Sequence, residues 1–241
     1  MPFGYQVTLS ALAILIAAFT QGVTGFGFGL VAMSLLPLFS NAREASVLVG
    51  IFSLASSLSV FASVRSCFRW RDVAFPLAGM FVGVPFGVYA LTVLDEQWVR
   101  RLVAVVVLFA CVQVASPRLR VRSVSRWWGL IAGVVGGVLG GAFGIGGPPV
   151  IAYSSMQDWD SSRYKAVLCS YFSVSNSYRL LLLIAAGLVT RPLVVTGLIA
   201  LPGLFLGTWA GIRTFRRLSG DAFRKAVVVT LAVLAVSLLV L

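Results

Sequence analysis

The chain contains no histidine, and its three cysteines, Cys67, Cys111 and Cys169, have neither CxxC nor metal-ligand spacing. Imidazole ligands and histidine-based acid–base catalysis are excluded, and the cysteines read as small apolar residues within helices. Acidic residues are scarce. All seven (Glu44, Asp72, Asp95, Glu96, Asp158, Asp160 and Asp221) fall at or near the ends of apolar runs. Proton-driven transporters usually keep a carboxylate or histidine inside the span, so only Glu44 and Asp158, just beyond two short runs, could carry a proton here. Charged residues make up 11% of the chain against 59% hydrophobic, with mean hydropathy +1.00. A soluble domain of this length cannot hide so much apolar surface, and the composition predicts an all-α polytopic membrane protein. No Lys or Arg precedes Arg43, so there is no basic n-region and no cleavable signal peptide is expected. The net charge of +12 lies in short loops between apolar runs. Arginines there set orientation in a membrane, which removes nucleic acid as a partner. No nucleophile–base pair or metal cluster is legible, so neither an enzyme nor a cofactor is expected.

Apolar runs fall at about 5–20, 28–39, 44–63, 73–94 and 99–116, then at 127–142, 148–157, 164–187, 192–212 and 222–241. Those at 28–39 and 148–157 are too short for a span of roughly 20 residues and read as half-helices or re-entrant arms. Trp70, Trp98, Trp127, Trp128 and Trp159 stand at run ends, as an interfacial belt requires, whereas Trp209 lies within a run and is expected in the core. The second half repeats the first. Gly144 and Gly146 follow Gly25 and Gly27 by 119 residues; from there the offset is 120, pairing Arg43 with Arg163, Phe52 with Phe172, Ser53 with Ser173, Gly83 with Gly203 and Gly87 with Gly207. Basic loops at 64–72, 118–126 and 213–225 are assigned to the cytoplasm, which puts both termini outside and makes the repeats inverted. The expected organisation is a first membrane repeat at 1–117, a basic cytoplasmic linker at 118–126 and a second repeat at 127–241. Each repeat holds a broken helix or re-entrant pair plus three spans, about 8–10 segments in all.

The densest signal is Gly140-Gly141-Ala-Phe-Gly144-Ile-Gly146-Gly147-Pro148-Pro149, with a weaker copy at Gly22-Val-Thr-Gly25-Phe-Gly27-Phe-Gly29. Backbone released from a helix is tolerated at membrane depth only where it is packed in protein or lines a cavity. A half-helix restarting after such a turn points free N–H groups and a positive dipole end at it, which suits an anion. Gly25, Gly27, Gly29, Gly144, Gly146 and Gly147 are therefore candidate binding residues; close helix packing is the competing explanation for glycine. Arg179 lies deep in the 164–187 run, where a cation is expensive unless it functions or snorkels to the nearer interface. Ser173, Asn176 and Arg179 share a helix face by their spacing, and their matches Ser53, Ser56 and Ser59 form an uncharged polar stripe. Ser53, Ser56, Ser173, Asn176, Arg179 and Tyr153 complete the candidate set, with Tyr171 and Tyr178 as further donors.

These two glycine motifs, with the length and the duplication, resemble the TauE/SafE sulfite-exporter-like permeases over nearly the whole chain. The resemblance implies a multi-pass protein of the bacterial inner membrane that moves a small anion, sulfite or another organic or inorganic sulfur oxyanion. Alternating access of one repeat against the other would carry the solute. A passive anion channel and a non-transporting scaffold subunit are the alternatives. The expected partners are the anion and the bilayer; coupling to a proton or to sodium, the direction of transport and the oligomeric state stay open.

Overall fold

The computed structural model describes residues 3–38, 41–95, 98 and 124–218. The expected runs near 99–116 and 222–241, most of the linker, and Glu96, Cys111 and Asp221 lie outside them. The helices are α1 (Phe3–Thr24), α2 (Phe28–Leu35), α3 (Ala42–Val64), α4 (Trp70–Val93), α5 (Arg126–Phe143), α6 (Gly147–Ser155), α7 (Ser161–Ala185) and α8 (Arg191–Phe215). Every regular element among the described residues is helical. Five stretches, Arg43–Cys67, Trp70–Val93, Arg126–Phe143, Ser161–Ala185 and Leu193–Phe215, are long and apolar enough to cross a bilayer. The two short runs are the short helices α2 and α6, so the expected breaks fall where the glycines are.

Small residues decide which helices meet. A Cβ on Gly79, Gly83 or Gly87 of α4 would run into α5 backbone at Leu130–Val134, Val134–Val138 and Val138–Ala142 in turn. The contacts advance together along both helices, so α4 and α5 run in the same direction. Gly203, Gly207 and Gly211 of α8 meet Ala11, Leu15 and Phe19 of α1 in the same manner. Without a hydrophobic drive between helices in lipid, close backbone approach of this kind is what holds them. The central pair, α3 and α7, runs oppositely: Ser53 meets Asn176, while Gly50, earlier in α3, meets Leu183, later in α7.

The glycine face of α8 turns its bulky face outward. Trp209 is 61% exposed beside Leu206 and Phe205, with the Arg213 guanidinium 5.4 Å from the Trp209 ring centroid. The expectation of a core Trp209 is thus corrected: small residues took the packed side, leaving the indole to the lipid side. Basic segments gather at one end of the bundle. Arg163 in the first turn of α7 holds Asp72 in the first turn of α4 with two bonds of 2.7 and 2.8 Å. Gln157 donates to the Val124 carbonyl at 3.1 Å, and Lys165 rests on the Phe215 ring at the end of α8. Arg65, Arg69, Arg126, Arg213 and Arg217 therefore share that end.

Candidate functional site

Both breaks are built the same way. The Gly25 N–H bonds to the Gln21 carbonyl at 2.8 Å and Gly144 N–H to Gly140 at 2.9 Å, closing α1 and α5. Gly25 and Gly144 take left-handed φ values of 84° and 71°, the helix-ending conformation that side chains resist. In the first turn the Thr24 hydroxyl can donate to the Phe26 carbonyl at 2.6 Å or to Thr20 at 2.8 Å, so the freed backbone keeps partners. Gly27 then starts α2, with a further left-handed φ of 94°, and Gly146 starts α6 with an ordinary φ of −75°. Pro148 and Pro149 fill the first turn of α6. They remove two N–H groups that would otherwise be unpaired, so α2 is the richer donor. The turns touch: a Cβ on Gly29 would collide with the Gly144 carbonyl.

Between the two restarting helices lies a narrow crevice of about 20 Å³, room for one or two waters, so in this state it admits only a group of very few atoms. Its walls are Phe26, Gly27, Phe28, Gly29 and Leu30 from the first break, Gly144, Ile145 and Gly147 from the second, Gln21 of α1, Ser53 of α3 and Phe172 of α7. Five predicted residues meet there: Gly27, Gly29, Gly144, Gly147 and Ser53. Asn176 stands directly behind, its Nδ2 donating to Ser53 Oγ at 2.9 Å. Because that oxygen accepts from Asn176, the serine proton is left to point elsewhere, and the crevice is the open side.

The other candidates are engaged away from the crevice. Gly25 packs on the Lys165 stem, and Gly146 on the Gly136 carbonyl, which a Cβ would approach to 2.5 Å. Ser173 donates to its own helix at Cys169 (2.7 Å), and Ser56 pairs with Thr208 at 3.2 Å. Tyr153 packs against Trp159, ring centroids 6.3 Å apart, and Tyr171 points to the Gly133 carbonyl at 3.4 Å. Arg179 is fully buried and does not snorkel. Its Nε donates to the Gly141 carbonyl at 2.9 Å, Nη1 to the Ser46 carbonyl at 3.1 Å and Nη2 to Ser46 Oγ at 2.6 Å. It ties α3 to the last turn of α5, with no carboxylate paired to it among the described residues. Glu44 and Asp158 are both exposed.

Two residues escaped the sequence reading. Lys165 is completely buried, and its Nζ donates to the Gly22 carbonyl at 2.6 Å and to Val23 at 3.3 Å, at the end of α1. Its position one residue inside the 164–187 run made it look like an edge charge. Gln21 is 1% exposed, and its Oε1 has no hydrogen-bond partner. The available signal was an amide just past the end of an apolar run, four residues before Gly25.

Residues 10–238 match the family described as Sulfite exporter TauE/SafE. The chain belongs to this family. Its members are membrane transporters and not enzymes, and the chain is a multi-pass membrane transporter of the TauE/SafE type. It is 28% identical over 216 residues to a Cupriavidus necator protein named "Probable sulfite/organosulfonate exporter TauE", covering 87% of this chain and 82% of that one. It is 27% identical over 172 residues to a Comamonas testosteroni protein named "Probable inner membrane transporter protein TsaS", covering 70% and 72%. No solved structure matches the chain.

Proposed function

We propose that this TauE/SafE protein is a permease of the bacterial inner membrane for a small sulfur oxyanion such as sulfite, bound in the crevice between the two glycine turns. The observation that supports this most is the meeting of two half-helix starts with Ser53 and a buried Gln21, whose Oε1 has no partner, in one small crevice. Free N–H groups at the start of α2, the dipole ends of α2 and α6, and the Ser53 hydroxyl replace water around the anion. Arg179 holds the second turn in place and lends its field from behind Gly144. The solutes in the two relatives' names, where given, agree with this chemistry.

The proposed frame is two inverted repeats, 1–117 and 127–241, joined by the linker 118–126. Reciprocal packing supports it: α1 with α8, α4 with α5, and the matching helices α3 and α7 antiparallel across the middle. Rocking one repeat against the other would expose the crevice to each side in turn. The test is uptake of radiolabelled sulfite into proteoliposomes. Saturable uptake is expected, reduced about tenfold by Ser53→Ala and within about twofold of normal in Ser59→Ala, since one ordinary hydrogen bond is worth about that factor. Ser59 is a fair control because its hydroxyl bonds back to Ala55 of its own helix. Non-saturating flux, or equal rates in both variants, would sink the proposed site.

A further inference from the structure

We infer that the crevice takes an oxyanion in its singly charged form, with Gln21 Oε1 accepting the bond from a proton the ligand retains. This rests on the permease reading above and states which charge state of the solute is carried.

Among the described residues, no charged side chain lines the crevice. Both buried cations near it are turned towards backbone carbonyls: Arg179 to Gly141 in the last turn of α5 and to Ser46 within α3, Lys165 to Gly22 and Val23 in the last turn of α1. The carbonyl ends of α1 and α5 carry about half a negative charge each and offset about one of the two positive charges, and neither cation is among the residues that line the crevice. What faces the ligand is then two half-helix starts, each equivalent to about half a positive charge, together about one unit. One negative charge is matched by these two starts in direct contact; a second would sit among Phe26, Phe28 and Phe172 with no charged side chain touching it.

Gln21 adds an independent requirement. Its side chain is 1% exposed on the crevice wall, and its carbonyl oxygen has nothing to accept from. A buried acceptor left unpaired is unfavourable, and a fully deprotonated oxyanion brings it only further oxygen lone pairs. Hydrogensulfite brings an anionic face for Ser53 and the α2 N–H groups together with one O–H for Gln21. A simple alkylsulfonate has the same single charge without that proton.

The test uses the unmodified protein in proteoliposomes with equal pH on both sides, comparing sulfite with methanesulfonate, which stays singly charged throughout. Above the second ionisation of sulfite, sub-saturating sulfite uptake should fall about tenfold per pH unit while methanesulfonate uptake changes by no more than about twofold. Sulfate at equal concentration should not compete. Gln21→Leu should raise the KM for sulfite about tenfold and leave that for methanesulfonate nearly unchanged. Parallel decline of both solutes, sulfite uptake that holds or rises with pH, failure of methanesulfonate to be carried, or competition by sulfate overturns the inference and leaves the permease standing. Absence of saturable uptake of either solute at every pH overturns the permease reading and the inference with it.

Discussion

Arg179 shows how a residue singled out for one reason can be held for another. A cation deep within an apolar run invites pairing with a substrate, and the burial of Arg179 is complete. Its donors, however, go to the Gly141 and Ser46 carbonyls and the Ser46 hydroxyl. Truncation leaves the buried carbonyl of Gly141, in the last turn of α5, without its donor and opens a cavity between α3 and α5, so Arg179→Ala is expected to lower stability by about 3 kcal/mol, visible as a reduced melting temperature in detergent. An unchanged melting temperature would return Arg179 to the ligand. Ser53 is the cleaner probe of binding, because Asn176 fixes its oxygen while its proton remains free for the crevice. Sequence spacing put Ser53 and Asn176 on candidate faces but could not tell that they touch. Gln21 went unseen because an amide at the end of an apolar run reads as an edge residue and has no helical-spacing partner. Only the fold brings it to a crevice whose far wall, Gly144, Ile145, Gly147 and Phe172, comes from the other half of the chain.

At the scale of elements the breaks were legible, because glycine and proline leave a mark wherever lipid forbids an open backbone. Hydrocarbon length separated the half-helices α2 and α6 from the full spans for the same reason. Which helices pair was not legible. Gly83 and Gly87 matched Gly203 and Gly207 as repeat landmarks, and in the structure both pairs serve packing, the first seating α4 on α5 and the second α8 on α1. The roles of equivalent glycines in the two turns also differ, since Gly146 packs on Gly136 while Gly27 lines the crevice. Two alanine substitutions separate these constraints. Gly187 has a φ of 70° but nothing within 4 Å of a built Cβ, so Gly187→Ala is expected to cost about 1 kcal/mol from backbone strain alone. Gly207→Ala would drive a methyl into the Leu15 carbonyl and is expected to exceed that by about 1–3 kcal/mol. Thermal unfolding of the two variants side by side checks the order; similar midpoints would mean that α1 and α8 can part without loss.

For the whole molecule, the gathering of basic segments at one end predicts orientation. Arg65 and Arg69 flank Cys67, a partly exposed free thiol in the loop before α4, while Cys169 is buried against the Gly25 carbonyl. In a Cys111→Ser protein, a membrane-impermeant maleimide should label Cys67 in inside-out vesicles and not in intact cells. Labelling of intact cells instead would invert the proposed topology. Loop charge made this end readable from the sequence, but Trp209 shows where burial was misjudged: aromatic bulk implied a core, and glycine packing on the opposite face of α8 sent the indole outward.

The placing of the two buried cations bears on how the halves depend on each other. Lys165 secures the end of α1 and Arg179 the end of α5, yet both project from α7. Their counterparts 120 residues earlier are Ala45 and Ser59, which carry no charge. One half therefore supplies the fastening for its own broken helix and for its neighbour's. In the proposed two-repeat frame the division of labour is not symmetric, and two copies of residues 1–117 are not expected to substitute for the whole chain.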